Sequence, residues 1–166
     1  MADRKIGILG GTFDPVHLAH LQLAKCAYEQ FHLEAVIFLP AGDPPHKTDR
    51  QVTPAYRRLE MLRLCLKDYP QFSLSEYEIE KQGYSYTAET LEYFTQMHPE
   101  VQFYFIIGAD SLFALDTWYS PERCLDKAVF LVGNRQKRGE EEIDRQILYL
   151  NSRYGGQIEK VDMPAM

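Results

Sequence analysis

Residues 6–20, IGILGGTFDPVHLAH, constrain this chain more than any other stretch. A short apolar run, residues 6–9, meets Gly10 and Gly11, and Thr12, Phe13, Asp14 and Pro15 follow. Asp14 then Pro15 predicts a helix start: an acidic N-cap, then a proline whose missing N–H is not needed at the first helical position. The stretch therefore reads as strand, tight glycine turn and helix. His17 and His20 stand three apart and share one face of that helix's first turn. A helix start offers N–H groups and a positive dipole end to an anion. Two imidazoles beside it make phosphate the natural ligand class.

The rest of the chain extends this unit. Residues 35–39, AVIFL, form an uninterrupted β-prone run, as suits a strand buried on both faces of a parallel sheet. A loop rich in Gly, Asp and Pro follows over 41–52. The first helix ends near Gln30, with Leu18, Leu21, Ala24, Cys26 and Tyr28 inward. Thr53 and Pro54 open a second helix running to about Lys67, with Tyr56, Leu59, Leu62 and Leu66 inward. Arg57 and Arg58 fall in its first turn, where the dipole disfavours cations, so one of them is aimed at something specific or both are solvated. The alternation of residues 72–80, FSLSEYEIE, predicts a half-exposed strand. Gly83 turns the chain, Thr87 caps a helix over 88–97, and residues 101–107, VQFYFII, form the most apolar strand, expected at the centre. Strands over 128–132 and 158–161 and a helix over 140–151 complete an alternating β-α order. The expected fold is α/β: a Rossmann-like parallel sheet flanked by helices, with right-handed crossovers. Ligands of such folds bind beyond the C-terminal strand ends, here Gly10-Gly11, the 41–52 loop, Gly108 to Asp110 and Gly133 to Arg135.

The chain has 166 residues, 45 % of them apolar, so one compact domain over 1–166 is the expectation. A net charge of −6 argues against a nucleic-acid or membrane partner, since both call for a broad basic face. A phosphate-handling site needs only local positive charge. No stretch reads as a signal peptide or a membrane span. The cysteines Cys26, Cys65 and Cys124 are odd in number and scattered, which fits a reducing cytoplasm and gives no metal motif.

Two familiar phosphate motifs are excluded. A P-loop needs GxxxxGK[ST], which the chain lacks. A dinucleotide fingerprint needs GxGxxG and an acid closing the second strand, yet the glycines are Gly7, Gly10 and Gly11 and the strand closes Phe38-Leu39-Pro40. A protein-bound metal is not expected either, since only His46 joins His17 and His20 as a ligand type nearby.

The surviving pattern, GTFDPVHLAH, resembles the nucleotidylyltransferase superfamily, whose signature is a GxFDxxHxGH-like first turn; Ala19 replaces the usual glycine. Pro44-Pro45-His46-Lys47, then Gly83 to Thr87, then Ile106 to Asp110, then Trp118-Tyr119 follow in order. That series is similar to the bacterial nicotinate-nucleotide adenylyltransferase family across essentially the whole chain. The family continues with an ISSTxxR-type motif, so the chain is expected to be truncated at its C-terminus.

The resemblance implies transfer of an adenylyl group from ATP to nicotinate mononucleotide. A nucleotide-binding module with little turnover and an adenylyltransferase for another phosphorylated acceptor are the alternatives. By resemblance His17 and His20 contact the ATP phosphates as catalytic residues. Gly10 and Gly11 admit the nucleotide, or merely serve an ordinary strand-to-helix turn. Thr12 and Phe13 place N–H groups and a ring edge near ATP. Lys47 reaches a phosphate or is a solvated loop lysine. Gly108 and Asp110 meet the adenosine. Backbone groups at Tyr86 and Thr87 hold the nicotinate carboxylate, and Trp118 stacks on the pyridine or is a core aromatic. Arg135 pairs with a phosphate or belongs to a basic surface run. Mg²⁺ is expected with ATP, held by phosphates and water, with no protein ligand. A homo-oligomer is left open.

Overall fold

A computed structural model describes residues 4–42, 52–81, 85–134 and 139–163. Six strands form one sheet: β1 (Arg4–Gly11), β2 (Ala35–Pro40), β3 (Phe72–Leu74), β4 (Val101–Gly108), β5 (Ala128–Gly133) and β6 (Ile158–Val161). Their order is β3-β2-β1-β4-β5-β6 and every neighbouring pair is parallel. The helices are α1 (Leu18–Gln30), α2 (Ala55–Leu66), α3 (Tyr77–Glu80), α4 (Thr87–Met97), α5 (Ala109–Ala114), α6 (Pro121–Lys127) and α7 (Glu140–Tyr154).

Period two along the strands divides the core. Phe103, Phe105 and Ile107 of β4 face a cluster built with α4 to α7, including Leu91, Leu112 and Ile143. Tyr104 and Ile106 face the opposite cluster, where Leu23, Ala24 and Ala27 of α1 meet Leu62 and Leu66 of α2. Both faces of β4 are thus covered, which is why it reads as a continuous apolar run.

The register explains where the sheet opens. The last β1–β4 pair is Leu9 with Ile106. Beyond it, Gly10 and Gly11 stay paired with Leu39 and Pro40 of β2, while Ile107 and Gly108 run alongside Val132 and Gly133 of β5. The two central strands part at their C-terminal ends. This is the topological switch point of a doubly wound sheet.

Several sequence expectations are corrected. Residues 72–80 are not one strand: three residues pair with β2, and Tyr77–Glu80 is helical. The alternating apolar residues there serve a different purpose, since Tyr77 stacks on Tyr93 of α4 with ring centroids 4.0 Å apart. Asp14 is not the N-cap of α1, which begins at Leu18 after His17. Its carboxylate instead accepts the Thr53 N–H at 2.9 Å, and the Asp14–Pro15 peptide is cis. Leu21, Ala24, Cys26 and Tyr28 pack on the core as expected, but Leu18, the first residue of α1, is 76 % exposed. Tyr56 likewise points outward, 64 % exposed, beside the buried stripe Ala55, Leu59, Leu62 and Leu66. Thr87 is the first residue of α4 and Tyr86 its cap.

Candidate active site

A cavity of about 350 Å³ lies where β1 and β4 part. Its floor is apolar, from Leu9, Leu39, Phe105 and Ile106. Gly10 and Gly11 border it on one side, and Gly108, Asp110 and Ser111 on the other. His20, Thr87 and Trp118 also line it. The sheet therefore brings together seven residues singled out from the sequence, spread over a hundred positions.

His20 arrives by helical periodicity. It continues the buried stripe Leu23, Ala24 and Ala27 by one turn, so the stripe that packs α1 on the sheet carries the imidazole over the strand ends. Its Nδ1 accepts the His17 N–H at 3.1 Å. That bond fixes the neutral tautomer with hydrogen on Nε2, so Nε2–H is a donor. The two histidine rings lie 4.0 Å apart, but His17 is exposed outside the cavity lining. Phe13 supports His20 edge-on, centroids 5.0 Å apart, from within the core. The Phe13 ring is buried, packed also on Phe38, rather than presented to the cavity. Its φ of 51° places a non-glycine residue in the left-handed region, a conformation costing about 1–3 kcal/mol unless its surroundings hold it.

Gly10 and Gly11 have no such φ; among the described residues the glycine that does is Gly155. A Cβ at Gly10 or Gly11 would meet its nearest neighbour at 3.5 Å, an ordinary contact. The fold does not require glycine at either position. What their missing side chains leave is open backbone along the cavity wall.

Three loops, after β1, after β2 and before α2, are tied by one buried arginine. Arg58, 1 % exposed, donates Nε–H to the Thr53 carbonyl at 2.7 Å. Its Nη1 donates to the Thr12 and Ala41 carbonyls at 2.9 and 2.8 Å. Asp14 reinforces the tie; the bond from Thr53 holds its carboxyl below the usual aspartate range, with the Arg58 charge contributing less. Of the arginine pair in α2, Arg58 is the one with a specific target, and that target is the protein's own backbone.

Trp118 rests on the core, its ring 6.5 Å from Phe105 and 6.2 Å from Phe130. It borders both the main cavity and an adjoining one of about 260 Å³ lined by Ser85, Tyr86, Thr87 and Tyr119. Tyr86 and Tyr119 face each other there, centroids 4.5 Å apart. Lys47 and Arg135 lie outside the described residues, as do His46 and Gly83. Among the described residues lining the main cavity, His20 is the side chain able to carry positive charge, and Asp110 and Glu78 are acidic.

Sequence reasoning missed Glu78 and Ser111, and gave no role to Ser85 and Tyr119 although both stand in the motifs it quoted. Glu78 is half-buried, and burial pushes its carboxyl up from the usual range against the pull of the Thr90 hydroxyl and the Lys81 charge. It was hidden in the segment read as a strand. Glu76, Glu78 and Glu80 alternate there, and nothing in the sequence separates Glu78 from the other two.

The chain matches the family described as cytidylyltransferase-like over residues 8–160. It is 42 % identical over 163 residues to a Lachnoclostridium phytofermentans protein named "Probable nicotinate-nucleotide adenylyltransferase", covering 98 % of this chain and 82 % of that one. A protein of the same name from Carboxydothermus hydrogenoformans is 44 % identical over 164 residues, covering 99 % and 81 %. Among solved structures, Plasmodium falciparum nicotinic acid mononucleotide adenylyltransferase complexed with NaAD superposes with a TM-score of 0.76, covering 98 % of this chain and 77 % of that one. At 19 % identity, that likeness bears on the fold alone. No helix among the described residues is long and apolar enough to cross a membrane.

Proposed function

The chain belongs to the cytidylyltransferase-like family and, within it, to the nicotinate-nucleotide adenylyltransferases, and from that premise we propose that the cavity between β1 and β4 carries the family's reaction. The adenylyl group of ATP is transferred to nicotinate mononucleotide, a step of NAD biosynthesis. A phosphate oxygen of the mononucleotide attacks the α-phosphorus of ATP. The bond from that phosphorus to the α,β-bridging oxygen breaks, and pyrophosphate leaves with its electron pair. The product is nicotinate adenine dinucleotide. The nucleophile arrives ionised, so no general base is required. Catalysis comes from alignment and from stabilising charge on the transferred and departing phosphates.

The observation that carries this reading is His20 and Trp118 in one cavity at the switch point. His20 Nε2–H donates to a phosphate oxygen, and His17, its ring tilted against that of His20, adds a second donor at the rim. Gly10 and Gly11 let the triphosphate lie against backbone, with Thr12 and Phe13 shaping the turn behind them. Gly108 and Asp110 receive the adenosine. The start of α4 at Tyr86 and Thr87 takes the nicotinate carboxylate, and the Trp118 indole stacks on the pyridine. Lys47 and Arg135 are assigned to phosphates from sequence. Mg²⁺ enters with ATP, held by phosphates and water. We assign it no protein ligand. The three free thiols accord with a cytoplasmic site of action.

Pyrophosphate release with ATP and a panel of acceptors tests this reading. Nicotinate mononucleotide is expected to exceed its amide counterpart by about 10-fold, the scale of a carboxylate's preference for a helix start. ATP binding without pyrophosphate release, or preference for an unrelated phosphorylated acceptor such as phosphopantetheine, would contradict it.

A further inference from the structure

Glu78 has no place in the mechanism above, yet it borders the cavity. Its position is built rather than incidental. Oε2 accepts the Thr90 hydroxyl at 2.8 Å, and Thr90 is fully buried one turn beyond Thr87 in α4. On the other side, a Cβ at Gly42 would stand 2.7 Å from the Glu78 carbonyl oxygen, so the exit of β2 packs directly on the α3 backbone. Lys81, which follows α3, is 3.5 Å from Glu89.

A carboxylate here is a liability toward most of what the cavity receives. A triphosphate, a nucleotide phosphate and a nicotinate carboxylate all repel it, and part-burial costs hydration. The donors that nucleotides offer a carboxylate are ribose hydroxyls and, on adenosine, the amino group. A carboxylate has about four lone-pair sites, so the Thr90 bond leaves acceptor capacity for the cavity. Glu78, in α3, is bonded to α4, the helix whose start takes the acceptor, while Asp110 follows β4 on the adenosine side.

We propose that Glu78 accepts hydrogen bonds from the ribose hydroxyls of the acceptor mononucleotide and makes the site selective for a ribonucleotide acceptor. This rests on the acceptor assignment under Proposed function.

The test compares kcat/KM for nicotinate mononucleotide with that for its 2′-deoxy and 3′-deoxy forms. Wild-type protein should prefer the ribonucleotide over at least one deoxy form by about 10- to 100-fold, the scale of one hydrogen bond to a charged group. Glu78→Ala should reduce that preference to about 3-fold or less. Glu78→Gln keeps the shape and the Thr90 bond should Glu78→Ala fold poorly. It should lower the preference about 3- to 10-fold, because a charged acceptor bonds about twice as strongly as a neutral one. Equal losses on ribo- and deoxyribo-acceptors would overturn the proposal in favour of a packing role. Altered discrimination against 2′-deoxy-ATP with the acceptor preference unchanged would overturn it in favour of adenosine. Absence of turnover by the wild-type protein with nicotinate mononucleotide would overturn the acceptor assignment and this inference with it, a result distinct from both.

Discussion

Replacing Arg58 should release three loops, two of which follow the strands β1 and β2 that border the cavity. Its guanidinium joins Thr12 after β1, Ala41 after β2 and Thr53 before α2, through bonds of 2.7–2.9 Å. Bonds from a charged donor contribute about 1.5–3 kcal/mol each, and a buried acceptor left unpaired loses about 1–3 kcal/mol. The three are not additive, because released loops regain water. Arg58→Lys keeps the charge and most of the stem, but its single ammonium cannot reproduce the planar fork. It should cost about 2 kcal/mol, and Arg58→Leu about 4 kcal/mol. For a domain of this size, those losses correspond to Tm shifts of about 4–8 °C and 8–16 °C. Urea unfolding at constant m-value provides the measure. Both variants should also lose kcat, since misplacement of about 1 Å at a reacting centre can cost about 100-fold. Stability within about 0.5 kcal/mol of wild type for both variants would refute the clamp, this being the range of an ordinary surface substitution.

Four further outcomes are expected. Gly10→Ala should leave Tm unchanged while raising the KM for ATP about 10-fold or more, the effect of one misplaced methyl group. Gly7→Ala should instead destabilise by about 1–3 kcal/mol as overpacking does, because its Cβ would stand 2.9 Å from Leu33 Cδ1. Trp118→Ala should raise the KM for nicotinate mononucleotide about 10- to 100-fold with little change for ATP, the scale of base–aromatic stacking; equal effects in steady-state kinetics would count against that ring's assignment. Asp14 has a folded pKa below its unfolded one, chiefly through the bond from Thr53. Its contribution is therefore present above the ordinary aspartate range near 4 and is lost as pH falls through the lowered value. Tm profiles of wild type and Asp14→Asn should differ most at neutral pH and converge in acid.

The sheet was legible because its signals are local. Residues 35–39 and 101–107 are apolar on both faces, and glycine or proline closes each. The convergence of Gly10 and Gly11 with Gly108 and Asp110 followed from parallel topology, while His20 and Trp118 were singled out by the family resemblance. What escaped was set by partners distant in sequence. Asp14-Pro15 carries a good helix-start signal, but a backbone N–H 39 residues away takes the carboxylate. Residues 72–80 alternate as a strand does, yet Tyr77 alternates in order to stack on Tyr93 of α4. Arg58 stood out only as a cation at the wrong end of a helix. Its three carbonyl partners come from three separate loops and leave no trace in side-chain type.

The central claim is that one cavity joins two nucleotides by adenylyl transfer, and following isotope through the reaction tests it most directly. With nicotinate mononucleotide as acceptor, label from the α-phosphate of ATP should appear in the dinucleotide. Label from the γ-phosphate should appear in pyrophosphate, one for each dinucleotide formed. Label from the γ-phosphate in inorganic phosphate or in the mononucleotide, with no labelled dinucleotide, would contradict the account.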